Sequence, residues 1–91
     1  MKTPLLAAYV AKQSEIAKRL PDFVQTLFHG VVAEIQSGKR IKGSEFAYLR
    51  LTRTTNLVEH LGMELKAARA INAADMAEYQ AASAEYEATN D

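Results

Sequence analysis

The chain has 91 residues, which suits one domain of ordinary size, so residues 1–91 are treated as a single domain. Apolar residues larger than alanine number 28, which excludes a disordered chain, and the lack of cysteine excludes disulfides, thiolate zinc sites and cysteine nucleophiles. The 11 basic and 11 acidic residues cancel, but every basic one lies between Lys2 and Arg69, whereas residues 73–91 carry only acidic ones.

The first predicted helix covers residues 4–20. Thr3 is a good cap, and Pro4 suits the first helical position because its missing N–H would have no partner there. Apolar side chains recur on one side of this helix at Leu6, Val10, Ala17 and Leu20. Pro21 is costly inside a helix and therefore ends this one.

The second predicted helix covers residues 22–37 and is the most hydrophobic element. Its apolar residues recur at the three-and-four spacing of a wide helical face, at Phe23, Val24, Leu27, Phe28, Val31, Val32 and Ile35. Gly38 follows, and glycine readily adopts the left-handed conformation that closes a helix. We expect this helix at the centre of the fold, followed by a short basic loop at residues 39–42.

The third predicted helix is long and covers residues 45–71, with Ser44 as its cap. Its main apolar stripe consists of Leu57, Leu61, Leu65 and Ala68, all within about 80° of one direction. The stripe keeps its phase through Gly62, and a glycine inside a helix costs only about 1 kcal/mol. The periodicity therefore favours one uninterrupted helix.

The last predicted helix covers residues 75–88. Asp75 and Glu78 have the spacing of a capping box, so the chain either breaks at residues 72–75 or continues as a helix. The apolar stripe goes on in the same phase through Met76, Tyr79, Ala82 and Tyr86. We therefore predict an all-α fold, a small bundle of three to four helices with a long third helix.

The start of the predicted third helix favours a homodimer. Its large apolar residues, which are Phe46, Tyr48, Leu49 and Leu51, point to nearly every side of a helix. A helix that is apolar all round is buried all round, and a second copy of the chain can supply the missing cover. Arg50 then needs a carboxylate partner. The alternative is that Tyr48 and Leu51 are ordinary, partly exposed residues.

Candidates for catalysis or metal binding are few. His60 and Glu64 lie one helical turn apart, but a metal site needs at least one further ligand. His29 lies beside the apolar face of the second helix, where a histidine at the edge of the core is commoner than a general base. Nucleophile elbows, phosphate-binding glycine loops and zinc-protease signatures do not occur. We expect a protein that is not an enzyme and has no cofactor, metal or small-molecule substrate.

Two segments, Glu45–Arg50 and Leu57–Met63, resemble the first two helices and the Leu-Gly turn of repressor-type helix-turn-helix proteins. This resemblance implies that Glu64, Lys66 and Arg69 lie on a recognition helix and reach the edges of DNA bases.

Two functions follow from these patterns, and the continuous stripe through Gly62 decides their order. A true turn would change the phase of the stripe, so we rank first a small regulator that binds a protein partner. Such a regulator is an adaptor or inhibitor of the kind found in phages and other mobile elements. Its expected contact residues are Phe46, Tyr48, Leu51, Tyr79 and Tyr86, because aromatic side chains are favoured interface anchors.

The alternative is a DNA-binding transcriptional regulator with a degenerate helix-turn-helix. Its nucleic-acid-binding residues would be Lys39, Arg40, Lys42, Arg50, Arg53, Lys66 and Arg69. For either function we expect a cytoplasmic protein. The longest apolar stretches fall short of the roughly 20 residues of a membrane span, and residues 5–11 make only a minimal signal-like segment.

Overall fold

The computed structural model of the chain describes residues 3–89, and all regular secondary structure in that range is helical. The elements are α1 (Pro4–Ala17), α2 (Asp22–Gln36), α3 (Gly43–Phe46), a 3-10 turn (Ala47–Leu49), α4 (Thr54–Glu59) and α5 (Leu65–Thr89). The prediction of an all-α fold is confirmed. The first two helices also agree with their predicted bounds to within one turn.

The first two helices end at the proline and the glycine that the sequence pattern predicts as helix ends. The chain turns after α1 and restarts at Pro21, whose carbonyl accepts the N–H groups of Val24 and Gln25. After α2, Gly38 adopts a φ of +82°, and its N–H donates to the Ile35 carbonyl. The Lys39 N–H donates to the Glu34 carbonyl, which completes a Schellman motif.

The prediction of one helix over residues 45–71 is wrong. Residues 50–53 are not helical, α4 ends at Glu59, and a turn over residues 60–64 precedes α5. Gly62 lies at the corner with a φ of +68°, which a helix does not contain. The stripe also breaks here, because Leu65 is 48% exposed. The common phase on the two sides of the turn therefore arises from two separate helices.

The long helix of this fold is the last one. Helix α5 has 25 residues, so both a break at residues 72–75 and a separate helix over 75–88 are wrong. Asp75 does not cap a helix, because it lies inside α5 and is 1% exposed. Its carboxylate instead accepts hydrogen bonds from two side chains of α1, which are described below.

Helices α1 and α5 run antiparallel, and acidic residues of α5 form hydrogen bonds and an ion pair with α1. The Glu85 carboxylate accepts the backbone N–H groups of Leu5 at 3.1 Å and Leu6 at 3.0 Å. It therefore caps a helix whose own Thr3 makes no side-chain cap. Further along, Lys12 pairs with Glu78 at 2.9 Å. Acidic residues near the end of the chain thus serve internal packing.

The core is built around the ring of Phe46. It stacks on Tyr86 with centroids 5.0 Å apart and packs against Tyr79 at 5.8 Å. The other large buried apolar residues around it are Leu6, Tyr9, Leu20, Phe28, Val31, Ile41, Leu49 and Leu51. Because residues 50–53 interrupt the helix between α3 and α4, Phe46, Leu49 and Leu51 converge in one core and are buried without a second copy of the chain. Tyr48 stays on the surface.

The helices within residues 3–89 lack the combination of length and apolar character that a membrane crossing requires.

Candidate functional site

Helix α4, the turn over residues 60–64 and the start of α5 form a helix–turn–helix arrangement. The turn closes through backbone bonds: the Leu61 N–H donates to the Asn56 carbonyl, and the Met63 N–H donates to the Leu57 carbonyl. Leu57 of α4 and Ala68 of α5 are buried, and the two helices contact each other. The small Ala68 side chain allows close approach, while Gly62 sets the change of direction.

The first turns of α5 are open to solvent. Apart from the buried Ala68 and the half-buried Asn72, every residue from 65 to 74 is exposed. This stretch presents two cations, Lys66 and Arg69, among short alanine side chains. Two larger apolar side chains, Leu65 and Ile71, are also exposed on this stretch, by 48% and 37%. The short alanine side chains beside Lys66 and Arg69 leave these two cations accessible to a partner.

A buried polar cluster holds α5 in place immediately after this open stretch. The Asp75 carboxylate accepts a hydrogen bond from the Tyr9 hydroxyl at 2.9 Å and from Gln13 Nε2 at 2.7 Å. Gln13 Oε1 also accepts the Leu51 N–H at 3.1 Å. The cluster therefore joins α1, α5 and the non-helical segment that precedes α4. It fixes the direction in which the open stretch of α5 projects.

Arg50 belongs to this cluster. Its Nε lies 3.6 Å from Asp75 Oδ2, its guanidinium donates to the Asn72 side chain, and its guanidinium carbon lies 5.7 Å from the centroid of the Tyr79 ring. Arg50 thus finds its carboxylate partner within its own chain. The side chain is only 12% exposed, so it serves the packing of α5 and is poorly placed for contact with nucleic acid.

The phenols around the cluster are hard to ionise. Burial, together with the hydrogen bond to the Asp75 carboxylate, raises the pKa of Tyr9 far above the ordinary tyrosine value. Burial also raises the pKa of Tyr79, and the nearby Arg50 guanidinium partly opposes that shift. Both hydroxyls therefore stay protonated in the folded protein at neutral pH.

The structure divides the seven cations proposed for nucleic-acid binding into separate groups. Arg53, Lys66 and Arg69 lie on the helix–turn–helix arrangement, whereas Lys39, Arg40 and Lys42 lie on the loop after α2. That loop is bound to the far end of α5, because the Tyr86 hydroxyl accepts the Ile41 N–H and donates to the Lys39 carbonyl. At 1.5 Å per residue, the two groups lie about 25 Å apart along α5.

The five residues proposed as protein contacts are mostly parts of the core. Phe46, Leu51 and Tyr86 are buried, and Tyr79 is half-buried between Tyr9 and Phe46. Only Tyr48 lies on the surface, with 45% of its area exposed. Phe46 therefore contacts both Tyr79 and Tyr86 inside one chain.

Sequence reasoning missed an exposed apolar face on α2. Phe23 is 66% exposed and Leu27 is 46% exposed, and Tyr48 lies beside Leu27 where both line the same two depressions. The sequence pattern that could have predicted this face is the width of the apolar side of the second helix. That side is wider than one neighbouring layer of helices can cover. Phe23 and Leu27 lie at the edge of that face, and nothing in residues 3–89 covers them fully.

The histidine and acidic side chains are the candidate ligands for a metal ion. Among residues 3–89, no three histidine, aspartate or glutamate side chains lie close enough to hold a metal ion. His29 is exposed and lies against the edge of Phe28, while His60 lies against Phe23. Compared with protein-family models, with curated proteins and with solved structures, the chain matches none.

Proposed function

We propose that the protein is a DNA-binding regulator that uses α4, the turn over residues 60–64 and the first turns of α5. The corner at Gly62 carries this proposal, because the continuous helix that favoured a protein-binding function is absent. In helix-turn-helix proteins the second helix lies in the major groove and its N-terminal residues contact base edges. The exposure of residues 65–74 suits that role.

The side chains on this stretch can make two kinds of contact with DNA. Lys66 and Arg69 can donate to guanine O6 and N7 or to phosphates. Ala67 and Ala70, both exposed, can pack their methyl groups against the C5-methyl group of thymine. A site that contains both guanine and thymine is therefore the expected target.

The proposed mechanism involves no chemical step and no cofactor. The regulator would act by occupying a DNA site in the cytoplasm and thereby blocking or recruiting other proteins. Proteins with this motif commonly bind two half-sites as dimers, so we keep the expected homodimer as part of the proposal.

Selection of binding sites from a pool of random duplexes at low salt tests this function. We expect an enriched sequence, and we expect its affinity to fall steeply as salt is added because bound phosphates release counterions. The Lys66→Ala/Arg69→Ala variant should lose at least about tenfold in affinity, since a base contact contributes about 1–3 kcal/mol. The matched Lys39→Ala/Lys42→Ala variant should lose little. A pool without enrichment, or equal losses in the two variants, contradicts the proposal.

A second candidate function is the binding of another protein. The exposed Phe23, Leu27 and Tyr48 favour it, because large apolar side chains grouped on a surface mark interaction sites. The protein would then act by occlusion or bridging. Affinity capture with the wild-type chain and with Leu27→Gln, followed by mass spectrometry, tests it. A partner that binds the wild type and not the variant would support this function.

A further inference from the structure

The apolar face of α2 is centred on two residues that separate two depressions. Leu27 and Tyr48 line both of them. One depression, of about 200 Å³, has Arg53 at its rim, whereas the other, of about 210 Å³, has Glu34 and Glu45. The face is therefore positive at one end, negative at the other and apolar in the middle.

Such a surface complements itself. A two-fold axis through the apolar middle would place the basic end of one copy against the acidic end of the other, as in the isologous interface of a symmetric dimer. Along α2, the residues at i, i+4, i+7 and i+11 share this face, and they are Phe23, Leu27, Gly30 and Glu34. Two copies of α2 can therefore pack antiparallel along this row.

Gly30 lets a neighbouring molecule approach α2 closely. It lies inside α2 with an ordinary helical φ, and a methyl group added there would meet no atom within 4 Å in residues 3–89. Glycine weakens a helix interior relative to alanine. The depression that Gly30 and Leu27 both line therefore leaves room for a side chain of another molecule to come close to the α2 backbone.

We propose that this α2 face binds a second copy of the chain, with Leu27 of each copy seated in the depression beside Gly30 of the other. In this arrangement Arg53 of one copy faces Glu34 and Glu45 of the other. The inference rests on the dimeric regulator proposed above and names the surface that joins its two copies. Its test needs no DNA, so a failure here is distinct from a failure of DNA binding.

Sedimentation equilibrium of the full chain tests the proposal. The chain has a mass of 10.0 kDa, and we expect the observed mass to approach twice that value as concentration rises. Leu27→Gln should weaken the dimer by about 100-fold, because two buried leucines are lost by symmetry. The matched control is Leu5→Gln on α1, which replaces a leucine of similar exposure and should leave the dimer unchanged. Circular dichroism checks that both variants keep the helical fold.

Charge reversal provides a test that misfolding cannot imitate. Arg53→Glu alone and Glu34→Lys/Glu45→Lys together should each weaken the dimer by about tenfold or more, and all three changes in one chain should restore it. Gly30→Leu should abolish the dimer while the chain stays helical. A mass of one chain at every concentration overturns the proposal. A dimer that persists in both Leu27→Gln and Gly30→Leu also overturns the proposal. So does a monomer whose α2 face is occupied by a different protein.

Discussion

The two halves of α5 have similar alanine-rich compositions and opposite surroundings. From residue 75 onward the helix contacts α1 and the α2–α3 loop through Asp75, Glu78, Glu85 and Tyr86. Before residue 75 it packs on α4 through the buried Ala68 and accepts a hydrogen bond from Arg50 at Asn72, and its other residues from 65 to 74 are exposed. The second half therefore contributes to the stability of the fold, whereas the first half contributes little and remains available.

This difference indicates where a function can lie. Residues that neither fill the core nor pair with another segment can change their contacts without unfolding the protein. Apart from Ala68 and Asn72, the residues in the first half of α5 meet that condition, and the buried cluster at its end keeps the direction of the helix fixed. A rigid helix end held by a polar cluster suits the presentation of side chains to a groove. The comparison predicts that stability and binding respond to substitutions in different halves of α5.

The largest effect on stability is expected from Asp75→Ala. The change leaves Arg50 without its counter-ion and leaves the Tyr9 hydroxyl and Gln13 Nε2 without their acceptor. Loss of one partner of a buried pair costs about 3–5 kcal/mol in the free energy of unfolding, which urea denaturation measures. Glu78→Ala, which breaks the exposed pair with Lys12, should cost less than about 1 kcal/mol. Equal losses for the two variants would contradict this view of the cluster.

A matched pair of alanines compares the two halves directly. Ala82 is fully buried, so Ala82→Leu should overpack the core and lower the free energy of unfolding by about 1–3 kcal/mol. Ala73 is exposed on the first half, and Ala73→Leu should change the free energy of unfolding by less than about 0.5 kcal/mol. Thermal denaturation of both variants measures the difference. A large loss for Ala73→Leu would show that the first half is packed in solution.

The corner between α4 and the first half of α5 depends on Gly62. Gly62→Ala places a Cβ on a residue with a φ of +68°, which should cost about 1–2 kcal/mol. The control is Gly43→Ala at the start of α3, where φ is not positive and the added methyl meets no atom within 4 Å in the described part of the chain. Unfolding in urea should separate the two variants. If Gly62→Ala stabilises the protein instead, residue 62 does not adopt the left-handed conformation in solution.

The sequence predicts those parts of the fold that depend on local chemistry. Pro21 and Gly38 end helices whatever lies around them, because proline lacks an N–H and glycine tolerates a positive φ. The apolar stripe favours a continuous helix over the Leu-Gly turn because it gives only the angular position of each residue around a helix axis. Two helices on either side of a turn can share that angular position by chance, as Leu57 and Ala68 do.

The candidate site was predicted only in part because its determinants are non-local. Asp75 has the spacing of a helix cap, yet it accepts bonds from side chains more than sixty residues away in the sequence. Arg50 needs a carboxylate, and no local pattern shows that Asp75 supplies it within the same chain. Lys66 and Arg69 were identified as candidates, but their separation from the basic loop depends on how α5 is oriented. Packing across the chain decides each of these points.

The smallest effect is a pH dependence of the cluster that holds the second half of α5. The unfolded chain releases a tyrosine proton near pH 10, whereas folded Tyr9 keeps its proton because its pKa is raised. The folded state then binds more protons than the unfolded one, so stability is unaffected below about pH 10 and falls above it. The loss is at most about 1.4 kcal/mol per pH unit for this group. Urea unfolding from about pH 8 to about pH 11 should show a shallower decline in Tyr9→Phe than in the wild type. A decline that Tyr9→Phe leaves unchanged would mean that the Tyr9 hydroxyl is not bound to Asp75 in solution.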